Sequence, residues 1–255
     1  LAGIENGASF FKKPIDQAMK PARIEQLKQI VADNYQEIAE QFSATRQKPL
    51  WPRLRQILRQ LPISGRLLDI GCGNGRLLEE LKKRPVDCYV GLDSSPELLK
   101  IAAQGYPQAA WPFSINWQLG NLLDTPVGQQ FDFVCCIAAL HHLPGRANRQ
   151  LAAKNLGRWL KPGGYLIISV WDLWHQPKYW RKLLTGLWLS LSGQLDCGDL
   201  LFNWGQQKSS GRQRYYHAFT KAELKRLIVA TGLDIVDCQQ DGLNLYLVAR
   251  QPIKS

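Results

Sequence analysis

Two acids and three glycines at fixed spacing are the residues best placed to do chemistry. Asp69 stands two residues ahead of Gly71, and Gly71, Gly73 and Gly75 alternate with Cys72 and Asn74. The stretch Leu67-Leu68-Asp69-Ile70 before them reads as a short buried strand. Leu77, Leu78 and Leu81 after them mark one face of a helix. Glycine lets a chain turn tightly and lets a ligand approach the main chain, and the start of a helix offers free N–H groups. Strand, glycine turn and helix together make a nucleotide-cofactor site. Gly71 and Gly73 begin the dinucleotide fingerprint G-x-G-x-x-G, but Arg76 stands at its third glycine. No Gly-Lys-Ser/Thr follows to make a phosphate loop. A carboxylate at Asp69 suits a ligand ammonium far better than a phosphate. A second acid, Asp93, ends the next strand, where an acid accepts hydrogen bonds from both ribose hydroxyls.

These residues need a scaffold, and the pattern supplies one. Residues 1–20 read as a tail. Ile24, Leu27, Ile30, Val31, Tyr35, Ile38 and Phe42 give a helix over 23–42, and a second helix covers 53–61. Strand two runs from Cys88 to Leu92, and Ser94-Ser95-Pro96-Glu97 opens a capped helix. Strand three, near 113–119, carries Trp111, Phe113, Ile115 and Trp117 in alternation. This apolar edge requires cover, from the chain's own N-terminus or from a partner strand. Strand four, 131–138, is almost wholly apolar, as a central parallel strand is. A helix over 148–160 and a strand over 165–170 follow. The fold class is α/β: a Rossmann-like, doubly wound, mostly parallel seven-stranded sheet. Asp241-Gly242 turns the last two strands into an antiparallel hairpin. Residues 171–213 break the alternation and hold five of the nine tryptophans. The reading divides the chain at 62, with N-terminal helices covering the cofactor site ahead of a domain over 63–255.

The formal net charge is +11. That favours an anionic partner: nucleic acid first, an acidic membrane surface second, an acidic small substrate third, with a merely basic surface as the alternative. Six cysteines form no C-x-x-C, so a zinc site is not expected, and a reducing cytoplasm suits them. No signal-peptide pattern or membrane-length apolar run is visible.

The run Asp-x-Gly-x-Gly-x-Gly resembles motif I of the class I S-adenosylmethionine methyltransferases. Three further signatures sharpen the likeness: Tyr35 through Phe42-Ser43 to Thr45-Arg46 and Lys48-Pro49; Leu140-His141-His142 with Leu160-Lys161-Pro162-Gly163-Gly164; and Arg214-Tyr215-Tyr216-His217 with Phe219. In this order they resemble the eukaryotic tRNA methyltransferases that esterify 5-carboxymethyluridine at the wobble position. The resemblance implies S-adenosylmethionine held by Tyr35, Asp69, Gly71, Cys72, Gly73, Gly75, Asp93, Ser94, Asn121, Leu122 and Ala138. Asn121 replaces the usual acid, and its amide oxygen is left to accept the adenine amino group. Arg46 is the expected guide for the acceptor carboxylate, with Arg214 second and His141 as an orienting donor. One of the two adjacent histidines faces substrate, or both are structural. Tyr35 either packs the N-terminal helix or lids the cofactor. No general base is needed, because a carboxylate is already ionised near neutral pH.

The resemblance also implies tRNA as partner and a small activator subunit at the strand-three edge. Lys178, Arg181, Lys182, Lys208, Arg212 and Arg214, interleaved with Trp174, Tyr179, Trp180 and Tyr215, are the expected RNA surface. Gln47, the added Leu50, the segment 144–149 and the insertion depart from the family's pattern. Two alternatives stand beside it: a small-molecule methyltransferase with an apolar lid, and a non-catalytic cofactor-binding subunit.

Overall fold

A computed structural model describes residues 18–45, 49–124, 128–203 and 213–253, with only the backbone course given for 36–45 and 203. The central sheet contains β1 (Gly65–Ile70), β2 (Val86–Asp93), β3 (Ser114–Leu119), β4 (Phe131–Ile137), β5 (Leu160–Trp171), β8 (Asp234–Gln240) and β9 (Asn244–Arg250). Its order is β3-β2-β1-β4-β5-β9-β8. The first five strands run parallel, and β9 is antiparallel to both β5 and β8. This is the doubly wound sheet with a reversed final strand that the alternation implies.

Helices sandwich the sheet because parallel strands bury both faces. One face packs Leu68, Val90, Val134 and Leu166 against α4 (Arg146–Arg158) and α6 (Lys221–Val229). The other packs Leu67, Tyr89, Phe133 and Ile167 against Leu54, Ile57 and Leu58 of α2 (Pro52–Gln60). Cys135 and Cys136 are buried on β4 as small apolar residues. Helix α3 (Pro96–Gly105) starts at Ser95, whose hydroxyl accepts the Leu98 N–H at 3.2 Å.

Three expectations are corrected or narrowed. The helical run after the glycine turn is a five-residue 3₁₀ segment, Arg76–Glu80. Leu77, Leu78 and Leu81 still pack inward, but Pro85 leaves little room before β2. The turn shapes the ligand space without a long helix dipole, and the N–H groups of Gly71, Cys72, Gly73 and Gly75 are bonded within the protein, to Leu92 O, Asp93 and Cys72 O. Second, β3 is the edge strand expected, and its apolar residues are covered by the chain's own N-terminal part: Trp111, Phe113, Ile115 and Trp117 turn into the α2-side core. A Cβ built on Gly91 would sit 2.6 Å from the Trp117 ring, so the glycine makes room for it. Third, the tail reading fails for residues 18–20: Met19 is buried and Lys20 N–H bonds to Gly193 O at 3.2 Å. Residues 1–17 lie outside the described residues.

The insertion builds its own small layer. Helix α5 (Trp180–Ser190) covers an antiparallel pair, β6 (Asp199–Asn203) and β7 (Gln213–His217). Leu173, Leu183, Leu200, Phe202 and Tyr216 form its core. Helix α1 (Pro21–Thr45) lies beside it, with Leu27 packed near Leu195 and Tyr215.

A buried polar network joins this layer to the sheet. Arg149 of α4 is 2.8 Å from Asp196 and 3.7 Å from Asp199, and it donates to Leu143 O at 3.2 Å. Tyr215 donates to Asp199 at 2.7 Å. His217 lies 2.7 Å from Asp199 and 2.9 Å from Glu223. Burial and the Arg149 charge disfavour a protonated His217, yet its two carboxylate partners outweigh them and raise its pKa. A raised histidine pKa stabilises the fold fully below the unfolded-state value, and that contribution is lost as pH rises through the folded-state value. Arg149→Met leaves buried acids without their cation. Urea unfolding should show a loss of about 3–5 kcal/mol, whereas an unchanged midpoint would remove the network from the account.

Candidate functional site

The C-terminal ends of β1, β2 and β4 converge on one pocket, as parallel sheets arrange ligand sites. The turn after β1 has Gly71, Gly73 and Gly75 at φ of 69°, 55° and 77°. A Cβ at Gly71 would meet the Ala139 side chain at 2.5 Å, so both space and backbone demand glycine there. Main-chain bonds from Gly71 and Cys72 to Leu92 O, at 2.7 and 3.1 Å, pin the turn to β2.

Asp93 completes the cradle. One carboxylate oxygen accepts the Gly73 N–H at 2.8 Å, and the other accepts Ser95 N–H at 2.9 Å. Burial raises its pKa, and these main-chain donors only partly offset that. Asp69 is buried beneath the loop and accepts the Tyr89 hydroxyl at 2.8 Å. Desolvation pushes its carboxyl up to about 7; the Tyr89 bond opposes this, and the neighbouring Asp93 charge adds to it. Opposite, Ala138 takes φ 54°, a left-handed conformation uncommon without glycine. Its N–H is held by Ser169 O at 2.9 Å and Ser169 Oγ at 3.1 Å. Ser94, Cys72, Leu122 and Asn121 also line the pocket.

Two buried acids with raised pKa values can accept a cation and hydroxyl donors without a phosphate site. That pair of acids fits S-adenosylmethionine, with Asp69 able to hold an ammonium and Asp93 able to accept ribose hydroxyls. Among the described residues no cluster of three metal-ligating side chains occurs.

The structure redistributes several expected roles. Asn121 Oδ1 accepts the Leu123 and Asp124 N–H groups at 2.7 and 3.3 Å, so the oxygen offered to adenine instead closes a local turn. His141 is fully buried among the rings of His142, Trp171 and Tyr216, and Trp171 N–H points to its Nδ1 at 3.4 Å. It does not line the pocket. His142 does, and its Nε2 is 2.7 Å from the Tyr35 hydroxyl. Tyr35 is thus a pocket wall reaching from α1. Arg214, half-buried on β7, lines a small side cavity that shares Val31, Tyr35 and His142 with the main pocket. The structure brings Tyr35, His142 and Arg214 together; Arg46 lies outside the described residues.

The sequence reading missed Trp51 and Arg76 as pocket walls, with the Arg76 guanidinium 5.3 Å from the Trp51 ring. Trp51-Pro52 at a helix start was a signal for the first. The expected RNA surface is also reshaped. Tyr215 is buried in the polar network, Trp174 donates to Ala218 O at 2.8 Å, and Lys178 and Lys182 lie over the rings of Tyr179 and Phe202. Lys208 and Arg212 fall outside the described residues.

Comparisons with known proteins agree with this geometry. A family model described as a methyltransferase domain matches residues 25–237. The chain is 30% identical over 241 residues to the tRNA (carboxymethyluridine(34)-5-O)-methyltransferase of Schizosaccharomyces pombe, covering 89% of this chain and 99% of that protein. It is 36% identical to the mouse protein of that name, ALKBH8, over 60% of this chain and 21% of the relative. Among solved structures, a Methanosarcina mazei S-adenosylmethionine-dependent methyltransferase superposes with TM-score 0.66 at 21% identity, over 81% of this chain and all (100%) of that one. A Haloferax volcanii methyltransferase in complex with the Trm112 activator gives TM-score 0.64 at 17% identity, over 88% and 99%. These structures share the fold.

The high Asp69 pKa carries a test. A bound ammonium favours the carboxylate, so below about pH 7 binding must expel a proton. Calorimetry should show S-adenosylhomocysteine binding weakening by up to about tenfold per pH unit below 7 and levelling above 8. Asp69→Asn should bind more weakly and lose that slope; a variant that keeps the slope contradicts the assignment.

Proposed function

Because the chain belongs to the methyltransferase-domain family, as a class I S-adenosylmethionine-dependent methyltransferase of the tRNA wobble-uridine group, we propose that its acceptor is the carboxylate of a carboxymethylated wobble uridine in tRNA. The observation that carries the proposal is the side cavity where Arg214 meets Tyr35 and His142 at the edge of the cofactor pocket. A cation there suits an anionic acceptor. The near full-length likeness to the fission yeast enzyme supports the same substrate.

S-adenosylmethionine, when bound, supplies a methyl group on a positively charged sulfur. Asp93 receives the ribose and Asp69 the ammonium. Arg214 aligns the acceptor carboxylate, and His142, fixed by the Tyr35 hydroxyl, orients it. No base is required of the protein, since the nucleophile is already ionised. The contribution of the protein is alignment and exclusion of water by Trp51, Leu143 and Trp171 along the walls. The net charge of +11 gives the anticodon stem-loop a long-range attraction. The outer edge of β3, at one end of the sheet, is the proposed seat of a small activator subunit. Support comes from the activator named with the Haloferax structure.

Nucleoside mass spectrometry of a deletion strain should show loss of the wobble methyl ester and accumulation of its free acid. An unchanged profile would sink the proposal. Arg214→Ala should raise KM for tRNA by roughly tenfold or more, the loss of one charge-assisted contact, with S-adenosylhomocysteine affinity retained. A small-molecule enzyme would instead show no salt-dependent tRNA binding.

A further inference from the structure

Helix α5 is half buried and half bare. Leu183, Gly186 and Ser190 face the sheet of the insertion. A Cβ on Gly186 would collide with Asp199 O, so the helix sits tightly on β6. Trp180, Leu184, Leu187, Trp188 and Leu191 recur at helical spacing and share one outward face. They are bare for large apolar residues: Trp188 is 71%, Leu184 67% and Trp180 56% exposed. Side chains of this kind scattered singly need no explanation, but a contiguous patch marks a docking surface.

The charge around the patch selects the occupant. From Pro177 to Ser192 the chain carries Lys178, Arg181 and Lys182 and no acid. Lys178 and Arg181 are exposed. The acids that follow, Asp196 and Asp199, are buried against Arg149. Along the helix the face is therefore cationic and apolar. A second copy of the chain would bring like charges together. RNA would use the cations and the tryptophan rings, but three outward leucines offer it neither stacking nor hydrogen bonds. An anionic lipid surface uses every component: headgroups meet Lys178 and Arg181, Trp180 and Trp188 sit at the interface, and the leucines enter the acyl boundary. Among the described residues no helix is long and apolar enough to cross a membrane, so contact through α5 would be peripheral.

We infer that the outer face of α5, from Trp180 to Leu191, docks this protein on an anionic membrane surface. The surface is separate from the cofactor pocket, so the inference stands independently of the acceptor.

The test is sedimentation of the full chain with vesicles of phosphatidylcholine alone or mixed with phosphatidylglycerol. The protein should pellet with the mixed vesicles, its tryptophan emission should shift to the blue, and salt should release it. The double variant Leu184→Ser/Trp188→Ser should partition at least about tenfold less. Lys178→Glu/Arg181→Glu should lose the preference for anionic vesicles. Thermal stabilisation by S-adenosylhomocysteine establishes that each variant is folded. No partition into mixed vesicles overturns the inference, as does a folded apolar variant that still pellets. Two further results overturn it: loss of tRNA affinity in the apolar variant, which assigns the face to RNA, and a dimer that the same variant dissociates, which assigns it to a second copy.

Discussion

The structure depends on one hydrogen bond, from the Gly73 N–H to the buried Asp93 carboxylate at 2.8 Å. It crosses from the turn after β1 to the end of β2, two strands already paired in parallel through Ile70 and Leu92. With Gly71 and Cys72 also bonded to Leu92 O, the glycine turn has little freedom left. The same carboxylate holds Ser95 N–H and so sets the start of α3. A single acid thus shapes the loop, opens the next helix and keeps lone pairs for a ligand. Its cost is desolvation, visible in the raised pKa of Asp93 and in that of Asp69 below it, pushed up to about 7. A bound cation relieves that cost, which couples the fold of the loop to its ligand.

Much of this was legible because it is local. Asp69, the three glycines and Asp93 follow from strand length and turn chemistry, both of which are written along the chain. The apolar run of β4 and the Asp241-Gly242 hairpin placed the middle and end of the sheet for the same reason. Ser95 and Pro96 announced α3. Even the alternation in β3 was legible as a strand, although the face its aromatic residues cover was not. Which face a strand covers depends on α2 and on the space left by Gly91, and neither is local.

The rest turned on contacts between distant segments. His141 and His142 are neighbours in sequence, and a short 3₁₀ turn decides which of them reaches the pocket. Pattern alone gives no phase for such a turn. Asn121 stands where the resemblance puts an acid for adenine, and its oxygen accepts instead from the main chain two and three residues on. The network of Arg149, Asp196, Asp199, Tyr215 and His217 was invisible for a stronger reason. It needs β6 paired with β7, and the sequence read 214–217 as a motif without recognising a strand. Yet that network holds Leu143, next to His142, and Tyr215, next to Arg214. The insertion is therefore part of the site's geometry.

All of this serves one purpose, the holding of a sulfonium nucleoside by the acid-braced turn. The most direct measurement is a crystal structure of the chain grown with S-adenosylhomocysteine. Ribose hydroxyls should lie on the Asp93 carboxylate, the amino group near Asp69, and the thioether should face the space between His142 and Arg214. Density for the nucleoside elsewhere, or an empty crevice at saturating ligand, would contradict it.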